Sequence, residues 1–264
     1  MVELKLKYEC INIMNKTHEE FLENIDIFYN KIKNANMDEL LNEDYLTETI
    51  SKIGLYNETG RMHPQNMNIH VYGDDAKHMN VIKNVGMWQI PRQLSSFLIK
   101  LVSLGQVETF LDIGTCRGAT ITVVTIFLLR FGIKKVDTID IIKHLHEDLH
   151  KKWKELDLPI TYIIIPNDLS FNKHVSSKYD VIFIDGNHDY QYVSNDFKIA
   201  QQMTNKICFH DINDIFCVDV VRLWNEIKNN HTYTPYEFTY HSHNLKLMGI
   251  GLLVKIYSDN SNPI

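Results

Sequence analysis

The pattern of apolar and polar positions divides the chain into two unlike parts. In the first 90 residues apolar positions recur at helical spacing. Phe21, Ile25, Phe28, Tyr29 and Ile32 form one stripe, preceded by Thr17-His18-Glu19-Glu20 as a capping-box start. Leu40, Leu41, Tyr45, Leu46 and Ile50 form a second stripe, which predicts one helix over 37–53 ending at Gly54. Residues 55–86 carry Gly60, Pro64, Gly73 and Gly86 among polar residues and read as loop.

From Pro91 onward the pattern alternates. Pro91 suits the first position of a helix over 92–104, whose apolar stripe is Leu94, Phe97, Leu98, Leu101 and Val102, with Gly105 as the stop. Short apolar runs then predict strands at 109–111, 136–139, 160–165, 179–184 and 207–209. Helical patterns lie between and after them at 119–130, 144–156, 190–203 and 218–228. The run 160–165 is apolar enough to suit a strand buried on both faces. Strands alternating with helices indicate a parallel sheet covered on both sides. The tail departs from this. Apolar runs at 237–240 and 248–255, separated by a polar turn at 241–244, predict a hairpin that closes the sheet with an antiparallel strand. Two regions result: a helical appendage over 1–90, serving as a lid or dimer contact, and an α/β domain over 91–264.

Composition narrows the class. The 264 residues are 44% apolar, ample for a core, and carry a net charge of -6, which argues against a generally basic nucleic-acid surface. Cys10, Cys116, Cys208 and Cys217 are scattered with no Cys-x-x-Cys pair, against a disulfide framework or zinc ribbon and in favour of a reducing compartment. No apolar run approaches the roughly 20 residues of a membrane span. The first residues, Met-Val-Glu-Leu-Lys-Leu-Lys, lack the apolar centre of a signal peptide, so a soluble cytoplasmic protein is expected.

Candidate chemistry gathers where the strands stop. Asp112, Asp140, Asp168, Asp185, His210 and Asp211 all terminate or closely follow apolar strands, at the edge where open parallel sheets bind ligands. Capping of the next helix is the simpler reading of any one of them, but it explains the series poorly. The stretch 108–120, Glu-Thr-Phe-Leu-Asp-Ile-Gly-Thr-Cys-Arg-Gly-Ala-Thr, is a strand, a tight loop and a helix start. Its glycines, Gly114 and Gly118, do not match the dinucleotide Gly-x-Gly-x-x-Gly spacing.

This stretch resembles the first motif of class I S-adenosylmethionine (AdoMet) methyltransferases, Asp/Glu-x-Gly-x-x-x-Gly. The resemblance implies a Rossmann-like methyltransferase fold: a seven-stranded, mostly parallel sheet with an antiparallel C-terminal hairpin. It also implies that Asp112, Gly114, Thr115 and Gly118 surround the methionine part of AdoMet, that Asp140 holds the ribose hydroxyls, and that Asp168 or Asn167 meets the adenine. Ile184-Asp-Gly-Asn-His-Asp-Tyr190, followed by Phe209-His-Asp211, is similar to the small-molecule O-methyltransferases that include macrolide-sugar methyltransferases and cephalosporin-biosynthesis relatives. That likeness covers about residues 85–255, with Trp88-Gln-Ile-Pro-Arg92 resembling the group's opening segment. It implies a divalent ion, magnesium or manganese, beside the donor, with Asp185, His210 and Asp211 at the ligand positions, His188 as general base, and Asp185 also among the catalytic and cofactor-binding residues.

His210 stands where the group carries a carboxylate. The ligand set therefore leaves manganese, iron, zinc or no metal open beside magnesium. His188 has the alternative of capping the helix from Tyr190, Asp189 reads as that helix's N-cap, and Asp214 as a cap or substrate contact. Cys116 reads as a small filler in the glycine loop. His63, His70, His78, His241 and His243 read as loop histidines. The expected activity is methylation of a hydroxyl on a small molecule, a sugar or glycosylated metabolite, by an enzyme that forms homo-oligomers. A cap or ribose methyltransferase and a noncatalytic AdoMet-binding module are the alternatives.

Overall fold

The computed structural model describes residues 19–53, 55–57, 81–83, 87–166, 170–240 and 248–256. The Thr17 cap, His63, His70, His78, Asn167, Asp168 and the hairpin turn with His241 and His243 lie outside the described residues.

A first helix (α1) runs through 19–34 and buries Phe21, Ile25, Phe28 and Ile32, the expected stripe. The helix expected over 37–53 is in fact two, α2 (Met37–Leu40) and α3 (Glu43–Ser51). Asparagine breaks it. Asn36 forms a capping box with Glu39, and the Asn42 side chain accepts from Tyr45 N at 2.9 Å, starting a new helix where the apolar stripe alone would continue the old one. In the region read as loop, β1 (Leu55–Asn57) pairs in parallel with β2 (Val81–Lys83). The helix α4 (Pro91–Ser103) has proline at its first position, as expected.

The remaining elements are β3 (Thr109–Ile113), α5 (Ala119–Leu129), β4 (Lys135–Asp140), α6 (Glu147–Glu155), β5 (Ile160–Ile164), β6 (Val181–Ile184), α7 (Tyr190–Met203), β7 (Lys206–Phe209), α8 (Val218–Ile227), β8 (Tyr233–Phe238) and β9 (Ile250–Lys255). Seven of these strands form one sheet in the order β5-β4-β3-β6-β7-β9-β8. All neighbours pair in parallel except β9, which is antiparallel to both β7 and β8. This is the Rossmann-like methyltransferase fold with its antiparallel hairpin. Strand order reverses beside β3, since β4 and β5 lie to one side and β6 and β7 to the other. The ligand crevice of such sheets opens at this point.

Successive strand residues face opposite sides of the sheet and feed two cores. Phe110, Val136, Val181 and Ile250 join one side, together with Phe28, Ile50 and Phe97 of the N-terminal helices and Phe127 and Trp153 of α5 and α6. Leu111, Ile139, Ile182 and Ile207 join the other, with Phe197 and Trp224 of α7 and α8. The N-terminal helices thus share a core with the sheet. Arg130, at the end of α5, donates to the carbonyls of Ile32 and Ala35 and holds the end of α1. Because this layer covers it, α5 stays buried although it is apolar on nearly every side.

Two expectations fail for the same reason. The run 160–165 was expected to be buried on both faces, but β5 is an edge strand and Ile164 is 46% exposed. The last hairpin starts earlier than expected, at Tyr233, because β8 lies on the opposite edge, where Pro235 withdraws no needed donor. The helix expected from His144 begins at Glu147, with the His146 ring capping Asp148 N. Among the described residues no helix is long and apolar enough to cross a membrane.

Candidate cofactor cleft and catalytic cluster

β3 delivers the chain into the glycine loop, and the loop is clamped from both flanking strands. Gly114 N and Thr115 N both donate to Ile139 O, at 2.9 and 3.2 Å, while Asp185 N donates to Ile113 O at 2.8 Å. Gly114 has φ +105°, and a Cβ there would lie 2.0 Å from the Asp185 carbonyl oxygen. Gly118 has φ +85°, and its Cβ would meet Leu145 Cδ1 at 2.6 Å. Gly114 is therefore dictated by neighbouring backbone, beyond any approach of a ligand, while Gly118 is called for chiefly by its left-handed φ. Beneath the loop, Thr138 Oγ1 donates to the buried Asp112 carboxylate at 2.6 Å and lies 2.7 Å from Thr115 Oγ1. Burial pushes the Asp112 pKa well above the usual carboxylate range.

Asp140 ends β4 at the mouth of the crevice. Its Oδ2 accepts from Cys116 N at 2.9 Å and its Oδ1 from Ile142 N at 3.2 Å, so both carboxylate arms are fixed in direction. The cleft beside it measures about 350 Å³, within the usual range for ligand pockets, and is lined by Gly114, Cys116, Ile142, Ile165, Phe171 and Asn187 among others. Cys116, expected as a filler, is instead exposed at this mouth with φ +49°. Tyr192 and Asp196, one turn apart on α7, also line the cleft, and burial raises the Asp196 pKa to about 7. Asp196 was not singled out from sequence. Within a helical pattern it looks like any solvent-facing acid.

The second half of the site lies where β6 and β7 end side by side, in register from Ile184 to Phe209. His210 N donates to Ile184 O at 3.0 Å, and its ring is almost completely buried between two carboxylates. His210 Nδ1 lies 3.1 Å from Asp185 Oδ1 and 3.2 Å from Asp211 Oδ1; neither contact lies along the ring N–H direction. Burial opposes a charge on His210, but the two carboxylates outweigh it and raise the pKa well above the ordinary histidine value. Burial likewise opposes the Asp211 charge, yet His210 and His188 hold its pKa far below normal. Burial raises Asp185, with His210 offsetting part of the effect. Asp211 has φ +61°, a left-handed conformation that aspartate tolerates and most residues do not.

Asp211 Oδ2 meets His188 Nε2 at 3.0 Å, and that hydrogen bond raises the His188 pKa. His188 is the half-exposed member of the cluster. Asp185, His210 and Asp211 offer ligand atoms within 4.8 Å of one another, and so do His188, Asp211 and Cys217. Cys217, one of the scattered cysteines, is returned to Asp211 by two successive turns: Cys217 N donates to Asp214 O, and Asp214 N to Asp211 O.

Asp189 occupies the N-cap position of α7, but its side chain caps nothing; Tyr190 N donates to Asp219 Oδ2 at 3.2 Å instead. Asp214 accepts from Phe216 N and Met248 N, bracing the loop after β7 against the start of β9.

Residues 111–215 match the family described as a methyltransferase domain, a span that takes in the end of β3, the glycine loop, Asp140, Asp185, His188, His210 and Asp211. The chain thus carries a methyltransferase domain over 111–215, set in the Rossmann-like methyltransferase fold. Among solved structures, the chain is similar to the O-methyltransferase from Bacillus cereus in complex with SAH, at 16% identity and a TM-score of 0.50, over 64% of this chain and 83% of that one. An rRNA methylase from Streptococcus thermophilus is similar at 11% identity and a TM-score of 0.50, over 65% of this chain and 100% of that one. At such identities the likeness is one of fold. No curated protein matches the sequence.

Proposed function

We propose that this protein transfers the AdoMet methyl group to a hydroxyl of a small molecule, a sugar or glycosylated metabolite. The observation that carries this reading is the adjacency of two half-sites. The cleft at Gly114 and Asp140 is built for a nucleoside, and the Asp185–His210–Asp211 cluster with His188 is built to receive and deprotonate a hydroxyl. Asp185 belongs to both. The acceptor oxygen attacks the sulfonium methyl, an O–C bond forms, the C–S bond breaks with its electron pair going to sulfur, and the hydroxyl proton leaves to a base. With Nε2 engaged by Asp211, the other ring nitrogen of His188 is the one free to take that proton.

Asp185, His210 and Asp211 fit a divalent ion by their mutual distances, and the nitrogen donor favours manganese, iron or zinc over magnesium. A bound ion would acidify and orient the acceptor hydroxyl. The acceptor pocket draws on the N-terminal part, whose last residues reach the site: Trp88 stands beside the glycine loop and Gln89 beside Asp185. Cys116, Cys208 and Cys217 are free thiols, consistent with work in a reducing compartment such as the cytoplasm. The helical layer over 19–53 is the surface we assign to a lid or to contact between copies.

Calorimetry tests the cofactor assignment. AdoMet should bind the wild type, and Asp140→Ala should weaken binding by at least about 100-fold, since it removes a charged hydrogen-bond acceptor and frees the Cys116 amide. Normal binding by that variant would remove Asp140 from the ribose. For the base, His188→Ala should lower kcat by roughly 10²–10⁴-fold with AdoMet affinity unchanged. Because Asp211 raises the His188 pKa, wild-type activity should fall on acidification with a midpoint above the ordinary histidine value of about 6.5. A pH profile flat through that region would exclude His188 as base.

A further inference from the structure

Gln89 lies on the segment that enters α4 and is completely buried. Its Nε2 lies 3.4 Å from Asp185 Oδ2, while the other oxygen of the same carboxylate meets His210. Among the described residues, three buried side-chain polar atoms have no hydrogen-bond partner: Gln89 Oε1 and the two ring nitrogens of His210. All three belong to side chains that touch Asp185. Gln93, one turn further on and equally buried, shows the contrast. Its Oε1 accepts from Gly249 N and its Nε2 donates to Tyr240 O, both at 3.0 Å, so its amide is satisfied at both ends and the segment is pinned. A buried acceptor left unmet is destabilising, and satisfied neighbours on a pinned segment make local looseness a poor explanation. The acceptors among them, Gln89 Oε1 and the one lone pair of a neutral His210 ring, point to a missing positive partner.

We propose that Gln89 Oε1 is a ligand of the cation at this site, supplying the oxygen that the chain lacks at His210. This rests on the metal reading given under Proposed function and extends it to a residue outside the methyltransferase domain match. Two carboxylates already balance a divalent charge, so a neutral oxygen adds coordination without adding unscreened negative charge. A set of Asp185, Asp211, Gln89 and His210 mixes oxygen with one imidazole, which manganese accepts. Sequence could not show this, because Gln89 and Asp185 are 96 residues apart.

The test is manganese binding by the full chain, followed by the paramagnetic resonance of the free aquo ion, with melting curves in chelator as the control for folding. Wild type should bind the ion. Gln89→Leu should weaken binding by at least roughly 10–100-fold, the loss that removal of even an outer-shell partner brings, and Gln89→Glu should match or exceed wild type. Wild-type affinity in Gln89→Leu would overturn the assignment while leaving the cation itself in place. Absence of manganese binding by the wild type would overturn the metal reading and this proposal with it. If Gln89→Leu does not fold, Gln89→Glu decides: binding weaker than wild type in the folded variant overturns the proposal, and tighter binding supports it.

Discussion

Gly114→Ala should abolish AdoMet binding and cost at least about 4 kcal/mol of stability, the range reached only by severe steric or packing insults. The added Cβ would sit 2.0 Å from the Asp185 carbonyl oxygen, a separation that no rotamer change relieves because both partners are backbone. Neither strand can yield cheaply. Gly114 N is bonded to Ile139 O on one side, and Asp185 N to Ile113 O on the other. Any displacement therefore moves Asp140 or Asp185, and with them both half-sites. Gly105 provides an internal control, since it has the same φ of +105° but nothing within 4 Å of a built Cβ. Gly105→Ala carries only the dihedral cost, about 1 kcal/mol. Melting temperatures of the two variants isolate the clash, with each kcal/mol worth about 2–4 °C in a chain of this size. Equal melting temperatures would show that the loop relaxes, and that Gly114 is chosen for its dihedral alone.

The same glycine shows what could be read from the sequence and what could not. Asp112-Ile-Gly114 and Gly118 announced a strand, a tight loop and a helix start, because a glycine pair after an apolar run has few other uses. The reason for Gly114 was hidden, since Asp185 approaches only once the sheet has formed. Strand ends were legible for a similar reason. Asp140, Asp185, His210 and Asp211 follow apolar runs and fall at the edge where the strands leave the core, whereas Asp112 and Asp137 interrupt their runs and are buried within β3 and β4. Strand order was not legible. Nothing in Ile160–Ile164 itself says that it will be an edge, and an edge strand exposes residues that a central one would bury. Asn42 was legible in principle: an asparagine three residues before Tyr45 is a capping signal, though the apolar stripe around it continues unbroken. Gln89 and Asp196 enter the site through contacts with segments far away in sequence, and Cys217 through the turns that follow Asp211.

Asp211→Asn is the second substitution expected to act strongly, through the charge it removes. Asparagine keeps the size of aspartate and tolerates the left-handed φ of +61°, so backbone strain contributes little. What changes is the buried His210, left with Asp185 as its one carboxylate, while His188 loses the acceptor that orients it. Breaking a buried ion pair from one side costs about 3–5 kcal/mol, because an uncompensated charge stays behind. In chelator, Asp211→Asn should therefore melt roughly 6–20 °C below wild type. Combining it with His210→Gln should recover much of the loss by removing the stranded charge. Dependence on pH follows from the two shifts. Asp211 is depressed, so its contribution is present above the unfolded carboxylate pKa of about 3.9 and is lost as pH falls through the folded value. His210 is raised, so its contribution is full below about 6.5 and declines as pH rises through the folded value. The gap between wild type and Asp211→Asn should accordingly be widest at about pH 4–6.5 and shrink at higher pH as His210 gives up its proton. A gap that stays constant into the alkaline range, or a double variant no more stable than the single one, would mean that His210 is neutral in the folded protein. The cluster would then be held by shape and packing in place of an ion pair.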